Sequence, residues 1–276
     1  MARVSLLALT LCACRTITPA ALPPSAAWEV PIVFEADGHH SALPLVQATI
    51  GGKTTLLVLD TGAAETTLQH WFVKSLEVEP TDSAGHAVVE LPLVLGARST
   101  TQKWRIVETV PGQRELGIGG TLSPQHAIEK GAVAIDFPGK RLLGLEGKAN
   151  AWLRWLDERS PKGQVEALVR TAPFDGRLHV MTRVGDGRAV STVLASGDER
   201  SRYAASLFDA SLVLEGKHVA GLHLRVGDSE FGPLDVLVLP PEARVDGRLG
   251  LDVLQGVVLL VPVHQLHPIW LMTPTP

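Results

Sequence analysis

The strongest constraint on the fold of this chain is that most of it is written twice. Leu43–Val73, "LPLVQATIGGKTTLLVLDTGAAETTLQHWFV", and Leu178–Phe208, "LHVMTRVGDGRAVSTVLASGDERSRYAASLF", carry the same parts in the same order. Each has an alternating run, a glycine turn (Gly51-Gly52, then Gly185-Asp186-Gly187), a second β-rich run and a small-residue break. Period-two alternation on either side of such a turn is the signal of a hairpin. The likeness continues downstream. "LPLVLGARSTTQKWRIV" matches "LHLRVGDSEFGPLDVLV", Leu116–Gly119 matches Gly247–Gly250, and "AVAIDFPGKRLLGL" matches "VVLLVPVHQLHPIWL". The spacing hardly drifts: 135 residues from Asp60 to Ala195, and 131 both from Gly96 to Gly227 and from Gly119 to Gly250. A unit repeated at a nearly constant offset predicts a mostly β protein of two lobes with similar topology. The 26 glycines and 19 prolines agree, since so many turn-formers suit short strands better than a helical bundle.

The repeats occupy residues 28–147 and 174–273, with 148–173 as a helical linker. Within that linker "NAWLRWLDERS" places Trp152, Trp155, Leu156 and Arg159 on one helical face, which predicts packing between the lobes. The first residues belong to neither lobe. "MARVSLLALTLCAC" has a basic start at Arg3 and an apolar run from Val4 to Ala13, too short to span a bilayer, so residues 1–13 read as a signal peptide. Its end, Leu11-Cys12-Ala13-Cys14, resembles a bacterial lipobox with Cys14 as the acylated residue, although Cys12 is unusual in the second position. Arg15 stands where an aspartate would signal inner-membrane retention, so the resemblance implies an outer-membrane lipid anchor facing the periplasm. Residues 14–27, rich in proline and alanine, read as a tether. Both cysteines lie in this leader, so the lobes have no disulfide, thiol nucleophile or thiolate metal site to draw on.

The net charge of -4 gives no reason to expect nucleic acid as a partner. His39-His40 suggest an exposed loop rather than a metal site, His264 and His267 lie in a strand-like stretch, and "GDERSRY" reads as a solvated charged turn. Gly117, Gly119 and Gly120 lack the lysine and helix of a phosphate loop, and no cofactor is called for.

One stretch asks for chemistry. "LLVLDTGA" runs an apolar strand into a carboxylate, Asp60, and a buried carboxylate is costly unless hydrogen-bonded or used. An Asx-turn between strands would satisfy it. With the downstream glycine element and "AIDFPGKRL", however, the stretch resembles the retropepsin-like and pepsin-like aspartic proteases over roughly 28–271. The resemblance implies that each lobe supplies one Asp-Thr/Ser-Gly turn to a shared site. Asp60 would then activate a water, Thr61 would bond across the interface, and Gly62 and Ala63 would complete the turn. Ile118 and Gly119, with Leu249 and Gly250 in the second lobe, would be the apolar-glycine elements beneath. Gly85, after Ser83-Ala84, would tip a flap that lacks the pepsin tyrosine, because Tyr203 aligns instead with Leu68.

The second turn departs from the pattern. It reads Ala195, Ser196, Gly197: hydroxyl and glycine are kept and the carboxylate is missing. Asp198 follows the glycine and cannot swing back, and Asp252 reads as a helix N-terminal carboxylate. Three functions stay open: peptide hydrolysis by a water at Asp60, peptide binding by an inactive cleft, or a structural envelope role. Two chains could pair their first lobes to complete a dyad, but the second lobe already covers that surface. A peptide or protein is the expected partner in the first two cases.

Overall fold

The structure, a computed structural model, describes residues 26–36, 38–159, 164–171, 175–208, 218–263 and 267–273. Cys14, the signal region and His264 lie outside them. The first lobe contains β1 (Ala26–Ala36), β2 (His39–Ile50), β3 (Lys53–Leu59), β4 (Thr67–Gln69), α1 (His70–Ser75) and β5 (Thr81–Ser83). It continues through β6 (His86–Leu95), β7 (Arg98–Val107), β8 (Ile118–Leu122), β9 (Ala132–Asp136) and β10 (Arg141–Leu145). Helix α2 (Ala149–Arg159) and strand β11 (Gln164–Leu168) lead to the second lobe. This has β12 (His179–Val184), β13 (Ala189–Leu194), β14 (Arg202–Tyr203), β15 (His218–Val226), β16 (Ser229–Val238), β17 (Gly247–Leu249), α3 (Leu251–Leu254), β18 (Val258–Pro262) and β19 (Ile269–Thr273).

The duplication is legible bond by bond. Strands β2–β3 pair antiparallel, β3–β8 parallel, β4–β8 antiparallel, β4–β7 parallel, β6–β7 antiparallel, and β2–β6 closes the ring. The second lobe repeats all six pairings with β12–β13, β13–β17, β14–β17, β14–β16, β15–β16 and β12–β15. Mixed parallel and antiparallel contacts of this kind cannot arise from hairpins alone, so their recurrence marks one topology used twice.

The lobes share a third layer, a sheet in the order β11-β19-β18-β9-β10-β1. At its centre β9 and β18 pair antiparallel, Ala134 opposite Leu260, and the strands outward from that line correspond in pairs. Side chains alternate across the sheet. Ala132, Ala134, Val258 and Leu260 face Trp152, Trp155 and Leu156 of α2. Val133, Ile135, Leu259 and Val261 face the main core of the two lobes. A sheet covered on both faces explains the unbroken apolar run "VVLLV". The tryptophans of the linker thus pack as expected, but on the shared sheet rather than between two separate bodies.

The helical linker is shorter than the sequence suggested. After α2 the chain forms β11, the sheet's edge. Glu166 on β11 is buried, and it accepts hydrogen bonds from Asp228 N (2.5 Å) and the Ser229 hydroxyl at the β15–β16 turn. A carboxylate so far from its partners in sequence gives a strand no visible reason to exist. His39 and His40 also differ from expectation: they open β2, paired with Ala36 and Glu35, instead of sitting in a loop. His267 lies between β18 and β19 rather than in a strand.

Candidate functional site

Asp60 directly follows β3, and its N–H donates to Leu122 O on β8 at 3.0 Å. Ala195 directly follows β13, and its N–H donates to Leu249 O on β17 at 2.9 Å. The two turns therefore leave equivalent strand pairs and meet. Thr61 Oγ1 donates to Leu194 O (2.7 Å) and accepts from Ser196 N (3.1 Å). Reciprocally, Ser196 Oγ donates to Leu59 O (2.8 Å) and accepts from Thr61 N (3.0 Å). Both hydroxyl residues are fully buried, so this four-bond grip is made in the dry interface where an unmade bond would be expensive.

The carboxylate of Asp60 sits just above the grip. Its Oδ1 accepts from Gly62 N at 2.8 Å and from Gly197 N at 3.0 Å. Gly62 is the residue two beyond Asp60, and Gly197 is the residue two beyond Ala195. The donor that a carboxylate at 195 would use has thus been taken by Asp60. The turns approach too closely for a side chain at Gly197 and leave little room for one at Gly62. A methyl on Gly197 would lie 2.5 Å from Asp60 Cγ, and one on Gly62 would lie 3.1 Å from Ala195 Cβ. Ala195 itself is 0 % exposed, so its methyl is buried at the meeting of the two turns.

Burial pushes the Asp60 carboxyl above the usual carboxylate range; the two glycine N–H donors and the Arg248 guanidinium oppose this, and the Asp198 charge adds to it. A raised folded-state pKa means that ionised Asp60 costs the folded protein stability at neutral pH. Below the ordinary value of 3.8 the group is protonated in both states and the cost is gone. Asp60→Asn keeps an oxygen for both glycine donors and removes the charge. It is expected to raise the melting temperature at pH 7, with the gain fading as pH falls through the raised pKa. Melting curves across pH 3–8 check this, and a gain that grows in acid would contradict it.

Asp198 is not part of a solvated turn. Its Oδ2 accepts from Arg248 Nε at 2.5 Å, placing an ion pair beside Asp60. Glu199 and Arg200 of "GDERSRY" stay exposed, but the residues after them turn inward. Ser201 is buried, and its N–H and hydroxyl donate to Asp252 at 2.7–3.0 Å. Asp252 lies in the first turn of α3, as expected, but its carboxylate is spent on Ser201. Tyr203 is fully buried, within 3.2 Å of the Thr182 hydroxyl, and burial pushes its phenol up to about 12.

The glycine elements require a correction. Strand register sets Leu122 against Leu59 and Leu249 against Leu194, Gly120 against Leu68 and Gly247 against Tyr203. The structural equivalents are therefore Gly120 with Gly247 and Leu122 with Leu249, not Gly119 with Gly250. Ile118 is buried with Ala36, Leu45 and Val58, at the end of β8 away from the turn. Three glycines in "GIGG" left the sequence alignment free to slip, whereas the backbone is not.

The flap expectation falls on a real hairpin. Strands β5 and β6 are joined by Ala84-Gly85, with φ of 55° and 78°, the left-handed pair that a two-residue hairpin turn requires. Gly85 is therefore at the tip, and its N–H donates to Asp82 Oδ1 at 3.2 Å. Beneath it lies a cavity of about 400 Å³ whose lining includes Glu65, Ser83, His86, Lys103, Arg105 and His126. Gln125 was not visible as a site residue. Its Nε2 donates to Ala63 O (3.1 Å) and to Gly176 O (2.8 Å), and Ser123 Oγ also donates to Ala63 O (2.9 Å). These bonds tie Ala63 and the Asp60 turn both to the segment after β8 and to the segment entering the second lobe.

No known family profile matches the sequence, and no curated protein matches it. Among solved structures the chain is similar to the crystal structure of an aspartic proteinase from Irpex lacteus. The TM-score is 0.56 at 11% sequence identity, covering 90% of this chain and 97% of the other. At that identity the likeness speaks to architecture alone: the chain has the pepsin-like bilobal fold.

Proposed function

We propose that this protein is a peptide-binding member of the aspartic-protease fold, with an intact interlobe cleft and a dyad reduced to one carboxylate. The observation that carries the reading is Ala195, whose buried methyl stands opposite Asp60 while its serine and glycine neighbours keep their places. The chemistry of a dyad rests on two carboxylates that share one proton, one as base toward water and one as acid toward the carbonyl. Asp60 alone supplies one of those roles at a time. Asp198, the carboxylate nearest Ala195 in sequence, is held by Arg248. The short flap strand β5 leaves an edge over the cleft to which an extended peptide can add as a strand.

One observation favours residual hydrolysis. Burial raises the Asp60 pKa, which makes it a stronger base than a solvated aspartate. A single experiment separates the two readings: incubation of the protein with a fluorescent peptide library, reading binding and cleavage together, beside Asp60→Ala. Binding without cleavage in both proteins is the expected result. Cleavage that disappears with Asp60→Ala would establish the enzyme instead, and absence of both would remove the peptide reading.

A further inference from the structure

We infer that the peptide held in the cleft carries an acidic side chain, aspartate or glutamate, at the position lodged beneath the flap. The inference rests on the peptide-binding reading above and concerns which peptide is chosen. The cavity under Ala84-Gly85 has three charged side chains, Glu65, Lys103 and Arg105, in its lining. Arg105 is matched within the wall, since its Nη1 lies 3.3 Å from Glu65 Oε2. Lys103 is not matched. Its ammonium donates to the Ser83 hydroxyl at 2.9 Å, although Glu90 stands directly opposite on β6. Among the described residues Lys103 makes no ion pair, and the cavity lining sets the two cations Lys103 and Arg105 against the single carboxylate of Glu65. His86 and His126, also in the lining, add positive charge when protonated and none when neutral.

The lysine is also in a position to be used. It lies on β7 beside the flap hairpin, and Glu65 and Thr66 of the same lining follow the Asp60 turn in sequence. A ligand carboxylate entering there would replace the neutral Ser83 hydroxyl as partner of Lys103, giving an ion pair where a neutral side chain gives only a hydrogen bond. A basic side chain would meet Lys103 and Arg105 as like charges.

The test uses the full chain and sets of fluorescein-labelled extended octapeptides that differ only in carrying Glu, Gln or Lys at one position, scanned along the peptide. Anisotropy titration should find one position where Glu binds about tenfold more tightly than Gln, the scale of one charge-assisted contact in a half-exposed cleft. Lys should bind more weakly than either. Lys103→Gln should erase the Glu preference, and Lys103→Glu should turn it into a preference for Lys. Because Lys103 is exposed, both variants should melt like the parent protein. Peptides bound with equal affinity whatever the charge would overturn this inference and leave the peptide-binding reading intact. A Glu preference that survives Lys103→Gln would overturn the role of Lys103. Failure to bind any peptide would overturn both.

Discussion

Ala195→Asp is expected to create peptide hydrolysis at acid pH, or to raise any residual rate by about 10²–10⁴-fold, the usual contribution of one positioned acid–base group. The setting for the new carboxylate is already built. Ser196 holds the turn through Leu59 O and Thr61 N, and Gly197 presents its N–H two residues beyond the substituted position. That N–H now serves Asp60, so the new aspartate would share it, and the two carboxylates would be drawn close enough to hold one proton between them. The rate should therefore show two apparent pKa values belonging to the pair, and it should vanish when Asp60→Ala is added. Assay of the purified single and double variants on a peptide library, with melting curves to establish folding, checks this. A folded but inactive Ala195→Asp protein would show that more than the carboxylate has been lost from the cleft.

The second large effect concerns stability. Thr61→Val keeps the shape of the side chain and removes the hydroxyl that joins Leu194 O to Ser196 N. Leaving a buried donor or acceptor without a partner costs about 1–3 kcal/mol, so the two together should cost about 2–6 kcal/mol. Few single contacts elsewhere in the molecule are worth as much. The Glu65–Arg105 ion pair, with both side chains about half exposed, falls in the class worth about 0–1 kcal/mol. Denaturant unfolding of Thr61→Val, Thr61→Ser and Ser196→Ala measures the difference. Thr61→Ser should recover most of the loss, and the double change of Thr61 and Ser196, which removes all four bonds, should cost less than the sum of the singles, because turns loosened by the first loss no longer hold the other two bonds in place. Additive losses would mean that the two hydroxyls act independently.

What could be read in advance, and what could not, follows from the range of each interaction. The two lobes and the facing turns were legible because each rests on local signals repeated at one offset: alternation, a glycine turn, a small-residue break. Register between β3 and β8 was not, because Gly117, Gly119 and Gly120 are interchangeable in sequence and only Gly120 meets the backbone of Thr67 and Leu68. The charged turn at Asp198 looked solvated because its partner, Arg248, lies 50 residues away. Strand β11 looked like linker because the groups that satisfy Glu166 lie 62 and 63 residues further on. Buried polar pairs of long sequence separation leave no periodicity to detect.

The line where β9 meets β18 has an implication for how such a chain can be divided. The two strands run antiparallel across a pseudo-twofold axis, so the edge of β9 is covered by the second lobe's own version of β9. A half-molecule ending after β10 would lose that cover and display an apolar, unpaired strand, a template for another chain. The partner of matching shape is a second copy of the same half, with Ala134 set against Ala134 and two Asp60 turns brought face to face. Fusion of the halves therefore does two opposite things at once. It shields a sticky edge inside one polypeptide, and it frees one turn from the symmetry that would oblige both to carry an aspartate. A covalent dimer can become asymmetric at a single residue, and Ala195 is where this one has done so.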